Sequence, residues 1–211
     1  MGKISLKPGT MLNPVPVVMV SCGDREESNI ITIAWTGIVN SNPPMTYVSV
    51  QRSRHSHDII KEKGEFVINL VNQELVRACD YCGVRSGRDV DKWADMRLTR
   101  AEADIVSAPL IAESPVNLEC KVKDVLEYPS HDVFVSEIVS VHVDEQLMDK
   151  SGKVRFEDVE LIVYNHGSYM PVQKKVLGTF GFSVMKPKTQ KKKAAGRRNA
   201  SRMKGKLKES K

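Results

Sequence analysis

The segment Gln51-Arg52-Ser53-Arg54-His55-Ser56-His57-Asp58-Ile59-Ile60 concentrates cations and hydroxyls where a strand ends and a helix begins. A helix start offers free backbone N–H groups and the positive end of its dipole, which favour an anion and phosphate above all. Arg52 and Arg54 add charge-assisted donors there, and Ser53 or Ser56 neutral ones. The plainer alternative is that Ser56 caps the helix and the arginines are solvated. A second cluster is Ser86-Gly87-Arg88-Asp89-Val90-Asp91-Lys92-Trp93. Gly87 permits an unusual turn, while Ser86 and Lys92 suit an anion or a polar ring edge. Alone, this cluster also fits a capped helix start with surface charge.

Other chemistries lack their residues. Cys79-Asp80-Tyr81-Cys82 is a C-x-x-C pair, which serves redox chemistry or half of a zinc site. No second pair completes a tetrahedral site, and no βαβ setting surrounds it. The pair is expected as buried or semi-buried thiols near a helix end. Cys22 and Cys120 complete the set, and an intracellular chain keeps all four reduced. The histidines at 55, 57, 131, 142 and 166 show no ligand spacing with carboxylates, so no metal is expected. His55 and His57 are expected as solvated residues ahead of a helix. Neither G-x-G-x-x-G after a strand nor G-x-x-x-x-G-K-S/T occurs, so no Rossmann or P-loop site is signalled. The G-x-S-x-G elbow and the H-E-x-x-H zinc helix are missing too.

The elements that must position these clusters are mostly strands. Val15 to Cys22 is a short apolar run, and Ile30 to Trp35 is β-branched and aromatic. Tyr47 to Gln51 alternates, and Phe66 to Val71 is again apolar. Pro115 to Glu127 and Asp132 to Val143 flank Tyr128-Pro129-Ser130-His131 as a hairpin. Leu161 to Tyr164 and Leu177 to Val184 are expected to close the sheet. Helices are expected over Ser56 to Lys63, with Gly64 as C-cap, over Gln73 to Cys82, and within Ser86 to Met96. About eight strands on short connections predict an antiparallel, closed or nearly closed barrel.

Charge is unevenly distributed. The net +6 of 211 residues hides a stretch from Lys186 to Lys211 with 12 Lys or Arg and one acid, Glu209. That stretch carries +11, leaving −5 on residues 1–185. With Met203 and Leu207 as its only large apolar residues, it cannot offset its ordering entropy. One domain over 1–185 and a disordered basic tail over 186–211 are therefore expected. No apolar run reaches the roughly 18 residues of a membrane helix. Met1 to Pro16 lacks a signal peptide's apolar stretch, so a cytoplasmic protein is expected.

The motifs, in order, resemble the flavin reductase-like family of FMN-binding split barrels, which includes the flavoredoxins. The resemblance runs through Pro14-Val15-Pro16-Val17, Ser28 to Trp35, Asn42-Pro43-Pro44 and Tyr47-Val48-Ser49-Val50. It continues with Arg52 to Ser56 before Ile59-Ile60, Gly64 to Leu70, the Cys82 region, and Ser86-Gly87 with Asp91-Lys92-Trp93. Ala108 to Ile111, Leu118-Glu119-Cys120 and Leu177-Gly178 follow, and the basic tail lies outside. Each motif is only a few residues long; their order across about 170 residues carries the specificity.

That resemblance implies a mainly β fold with short helices, a six-stranded antiparallel Greek-key split barrel. It implies a homodimer with non-covalent FMN at the interface, carrying hydride or electrons, often from NADH or NADPH. Asn29 and Thr32 would meet the flavin edge, and Ala34 and Trp35 would wall its ring. Val50 and Arg52 would lie by the pyrimidine side or ribityl chain. Ser53, His55 and Ser56 would take the phosphate, and Ser86 and Lys92 the phosphate or ribityl hydroxyls. Some members have Thr at the position of Ser56, so a hydroxyl is kept. Cys82, His166 and Tyr169 are further candidates for flavin or substrate contact. Hydride transfer needs no general acid or base, so no catalytic side chain is assigned.

A passive FMN electron carrier is the alternative within this frame, and a non-catalytic nucleic-acid-binding barrel the alternative outside it. The tail is the footprint of phosphate contacts, but the body is acidic and lacks aromatic–basic interleaving. Truncation after Val184 is expected to abolish salt-sensitive retention on immobilised RNA while leaving flavin uptake unchanged, as read by absorbance in both chains.

Overall fold

The computed structural model describes residues 2–186. The described residues divide into two units, 2–172 and 173–186. Beyond Lys186 the expected tail lies outside the described residues. The first unit contains β1 (Val15–Pro16), β2 (Val18–Gly23), β3 (Ser28–Ile33), β4 (Thr36–Ser41), β5 (Pro44–Gln51), α1 (His55–Lys63) and β6 (Glu65–Leu70). After these come α2 (Val76–Val84), α3 (Lys92–Met96), β7 (Arg100–Ala101), β8 (Leu110–Ile111), β9 (Val116–Glu127), β10 (His131–Val143), β11 (Ile162–Asn165) and β12 (Ser168–Pro171).

Seven strands form one antiparallel sheet in the order β3-β2-β6-β9-β10-β5-β4. Its two edge strands are consecutive in the chain, separated only by Ala34 and Trp35. Three Cα steps reach at most about 11 Å. A flat seven-stranded sheet would hold its edges roughly 29 Å apart. The sheet must therefore curl until the edges meet. The Ser49 N–H donates to the Trp35 carbonyl at 2.9 Å, which carries the β4–β5 ladder one residue into the link. Register shifts at Ile38/Asn40, Val135/Ser136 and Ile138/Ser140 supply bends that help the strands coil.

Curling gives β2 two buried faces. Val18, Val20 and Cys22 join Val48, Val50, Phe66, Ile68, Cys120 and Phe134 in one cluster. Met19 points the other way and packs with Ile30, Cys79, Cys82 and Trp93 under α2 and α3. Burial on both faces is why β2 reads as a continuous apolar run rather than an alternation. Helix α1 ends at Gly64, whose left-handed backbone (φ 66°) returns its N–H to the Ile60 carbonyl at 2.9 Å.

The structure corrects several expectations. The barrel sheet has seven strands rather than six, because the run from Ser28 to Ser41 bends at Ala34-Trp35 into β3 and β4. Strand β4 carries no alternation to read, since it is an edge with most of its residues exposed. Leu161 to Tyr164 does not close the barrel; β11 pairs with β1 and β12 in a separate three-stranded sheet. Leu177 to Val184 forms no strand in its own unit, where Phe182–Val184 is a short 3-10 turn. Gly178 and Gly181, the latter at φ 78°, break the extended pattern there. Helix α3 is shorter than expected because Asp91 caps it, accepting from the Trp93 N–H at 2.9 Å. His57 is not a solvated loop residue: it lies inside α1 and is buried.

The fold also gathers Asp104, Glu119 and His142, with ligand-type atoms within 4.8 Å of one another. No spacing in the sequence signals this grouping. The fully buried Glu119 already accepts from the N–H groups of Asp104 (2.9 Å), Ile105 (2.7 Å) and Val106 (2.9 Å), and contacts His142 Nε2 at 2.5 Å. It anchors the loop after β7 to β9. Burial pushes its carboxyl up, but His142 and the three amides outweigh burial and hold it below its ordinary range. Its contribution to stability is therefore complete above the unfolded value of 4.5 and is lost as pH falls through the lower native value. Glu119→Ala is expected to lower unfolding stability by about 3 kcal/mol through unpaired amides, read as a shift of the urea midpoint. As pH falls below 4.5 and through the lower native value, the native protein should lose stability faster than the variant.

Candidate functional site

A groove runs from the start of α1 to the bend between β3 and β4. Its first compartment is lined by Asn29, Ser53, Arg54, His55, Ser56, Cys82, Ser86, Gly87 and Lys92, among others. The second is lined by Thr32, Ala34, Trp35, Ser49, Gln51 and His131, among others. Ile31, Arg54 and Gly83 line both, so the two are continuous.

The first compartment is a cup of donors. No side chain caps α1 at Arg54 and the His57 N–H turns back to the Arg54 carbonyl at 2.9 Å, so the amides of His55 and Ser56 are left for another acceptor. Ser56 is buried and accepts from Asn29 Nδ2 at 2.8 Å, which ties α1 to β3. Gly87 sits against that pair: a Cβ there would lie 2.2 Å from Asn29 Oδ1. Lys92 is 4% exposed, and its Nζ donates to the carbonyls of Ile30 (2.7 Å) and Cys82 (2.8 Å). Among the described residues no carboxylate pairs with it. Burial pushes its ammonium down from the ordinary value of 10.5. A buried cation with only neutral acceptors is costly. An anion entering the cup would supply the missing charge.

The second compartment is a slot with an aromatic wall. Trp35 is 44% exposed, and its ring stacks on His131 with centroids 4.8 Å apart and planes 37° from parallel. Thr32 donates its hydroxyl to the Cys79 carbonyl, joining the strand below the slot to α2.

Most of the residues singled out in the sequence line this groove: Asn29, Thr32, Ala34, Trp35, Ser53, His55, Ser56, Cys82, Ser86 and Lys92. Four do not. Val50 is fully buried in the core, because on β5 the apolar alternates face inward and Ser49 and Gln51 face the slot. Arg52 turns from the cup to Asp132, with its Nε at 2.8 Å from Oδ1. His166 occupies the β11–β12 turn at φ 47°. Tyr169 packs on Tyr164 and donates to Asp80 at 3.2 Å. Sequence reasoning missed Ser49, Gln51 and His131. Period-two alternation in β5 would have found the first two. His131 reaches the slot through pairing with Gln51 across β10 and β5, a register that no local pattern encodes.

A family model described as flavin reductase like domain matches residues 10–173. The chain belongs to that family. A flavoredoxin of Desulfovibrio vulgaris (Miyazaki F) is similar at 31% identity, covering 85% of this chain and 98% of its own, with a TM-score of 0.79. A flavoredoxin from Methanosarcina acetivorans is 30% identical, covering 88% and 100%, with a TM-score of 0.80. An uncharacterized protein of Archaeoglobus fulgidus is 32% identical over 148 residues, 70% of this chain and 83% of its own.

In this flavin reductase like domain the thiols by the groove are poor nucleophiles. Burial pushes Cys82 up to about 11 and Cys79 up to about 12. The four cysteines are free and buried, as the C-x-x-C pair was expected to be. Among the described residues no helix is long and apolar enough to cross a membrane.

Gly87→Ala is expected to push Asn29 off Ser56 and deform the cup. Binding of inorganic phosphate or a phosphate monoester, followed by calorimetry, should weaken by about tenfold, the cost of roughly one hydrogen bond to a charged group.

Proposed function

We propose that the chain binds FMN non-covalently in this groove and works as an oxidoreductase, receiving electrons from NADH, NADPH or a protein donor. The observation that carries the reading is Lys92, a buried ammonium without a carboxylate, beside an uncapped helix start. The donor set fits a terminal phosphate: the backbone N–H groups of His55 and Ser56, the hydroxyls of Ser53 and Ser56, and the cations Arg54 and Lys92. The adjoining slot, with Ala34 and Trp35 on one side, fits a flat ring system. Membership of the flavin reductase like family, and similarity to two flavoredoxins, support flavin as that ring.

Bound FMN would supply the hydride- or electron-carrying chemistry. The protein's own work is binding and orientation. The cup would fix one end of the ligand, and Trp35 with His131 would limit where a second ring can lie. The exposed edge strand β4 places Ile38 and Val39 in solvent next to the slot. A second copy covering that edge would complete the groove and bury the apolar pair, and the proposed active form is this homodimer. A passive carrier and a reductase differ in whether nicotinamide itself bleaches the flavin.

The purified protein, reconstituted with FMN, is expected to be yellow with a bound-flavin spectrum. Anaerobic addition of NADH or NADPH should bleach it on the catalytic timescale. A colourless protein that takes up no FMN overturns the reading. Lys92→Met should weaken FMN by about 2 kcal/mol, roughly thirtyfold, and riboflavin little. Because burial lowers the Lys92 pKa, FMN affinity should decline as pH rises through a value below 10.5. Riboflavin affinity, titrated by fluorescence in parallel, should lack that limb.

A further inference from the structure

Asp132, on β10, is 1% exposed and lines neither compartment of the groove. Its Oδ1 accepts from Arg52 Nε at 2.8 Å, and its Oδ2 meets His57 Nε2 at 2.9 Å. Between these two anchors lie four residues, Ser53, Arg54, His55 and Ser56, and all four line the cup. One carboxylate thus grips both ends of the segment that would hold the phosphate. Burial pushes the Asp132 carboxyl up, but the bonds from His57 and Arg52 outweigh it and keep it below the ordinary carboxylate range.

The grip continues outward. His57 Nδ1 lies 3.0 Å from Asp58 Oδ1, and Asp58 Oδ2 lies 3.6 Å from Arg88 Nη2. The other guanidinium nitrogen, Nη1, donates to the Ser53 carbonyl at 3.1 Å. Arg88 follows Gly87 directly, so this bond joins the opposite wall of the cup to the gripped segment. The phenyl ring of Phe134 lies edge-on to His57 at 5.5 Å and closes the space behind the imidazole.

We propose that Asp132 is a positioning residue for phosphate: by holding Arg52 and His57 at once, it sets the curvature of residues 53–56 and so the preference for FMN over riboflavin. The inference rests on the flavin reading above. It also assigns Arg52 a role different from flavin contact, as one of two anchors behind the cup. Residues that fix the orientation of binding groups are costly to lose even without touching the ligand.

The test measures dissociation constants for FMN and for riboflavin, which differ only in the phosphate, by flavin fluorescence quenching on the full chain. Asp132→Asn preserves size and one hydrogen-bond acceptor but loses the charge. It is expected to weaken FMN about tenfold and to leave riboflavin within about twofold. Arg52→Gln removes one anchor at a half-exposed position while His57 still bonds Asp132, and should weaken FMN alone by a few-fold. In Arg52→Gln/Asp132→Asn the loss should be smaller than the sum of the two, close to that of Asp132→Asn alone, because both variants weaken the same Arg52–Asp132 bond. Equal loss of FMN and riboflavin in both single variants would reduce Asp132 to a stability role and overturn the proposal. Unchanged FMN binding in both would overturn it as well. If the native chain binds neither ligand, the flavin reading itself fails and takes the inference with it. If it binds both equally, the flavin reading survives and the phosphate cup does not.

Discussion

The two-residue link between β3 and β4 governs the rest of the molecule. Because Ala34 and Trp35 must join opposite edges of a seven-stranded sheet, the sheet has no flat solution. Closing it brings the end of β5 beside β3, and α1, which leaves β5, packs against β2, β3 and β6. Asn29 on β3 can then bond Ser56 on α1, although 27 positions separate them. The groove is a consequence of this closure, not a feature of any one loop. Trp35 stands at its mouth because it belongs to the link itself.

Electrostatics adds the second constraint. The first 185 residues are net acidic, yet the cup concentrates Arg54 and Lys92 at the positive end of a helix. The basic residues around it divide into two kinds. Arg52 and Arg88 are engaged with Asp132 and Asp58 and keep the walls in place. Among the described residues Lys92 is engaged only with carbonyls, which leaves its charge for a ligand. This division cannot be read from net charge, since all three residues count the same in the sum.

The strands and their sense were largely legible, because apolar runs, β-branched residues and turn signals agree locally. So was the chemistry of the cup, since Ser53, His55 and Ser56 are contiguous and Ser86 and Lys92 lie in one short stretch. What could not be read depends on partners distant in sequence. Alternation in β5 separates Val50 from Ser49, but which of the two faces meets the slot is set by the closure of the sheet. His57 looked solvated because the carboxylate that buries it, Asp132, lies 75 positions away. His131 enters the slot through strand register alone. Strand β4 was hidden because an exposed edge has no buried face to impose a pattern. The region from Leu177 to Val184 failed in the opposite way: its apolar residues resemble a strand, while its glycines prevent one.

The buried thiols have a consequence for life near oxidants. Cys82 borders the cup, yet at neutral pH it stays almost wholly protonated, as do the more deeply raised Cys79 and Cys120. Peroxide attacks thiolates, and a thiol held in this form is slow to climb the ladder from sulfenic to sulfonic acid. Peroxide arising beside the groove would find no ready target in the wall. Packing that serves the core therefore also gives the groove chemical durability, with no scavenging residue set aside for the task.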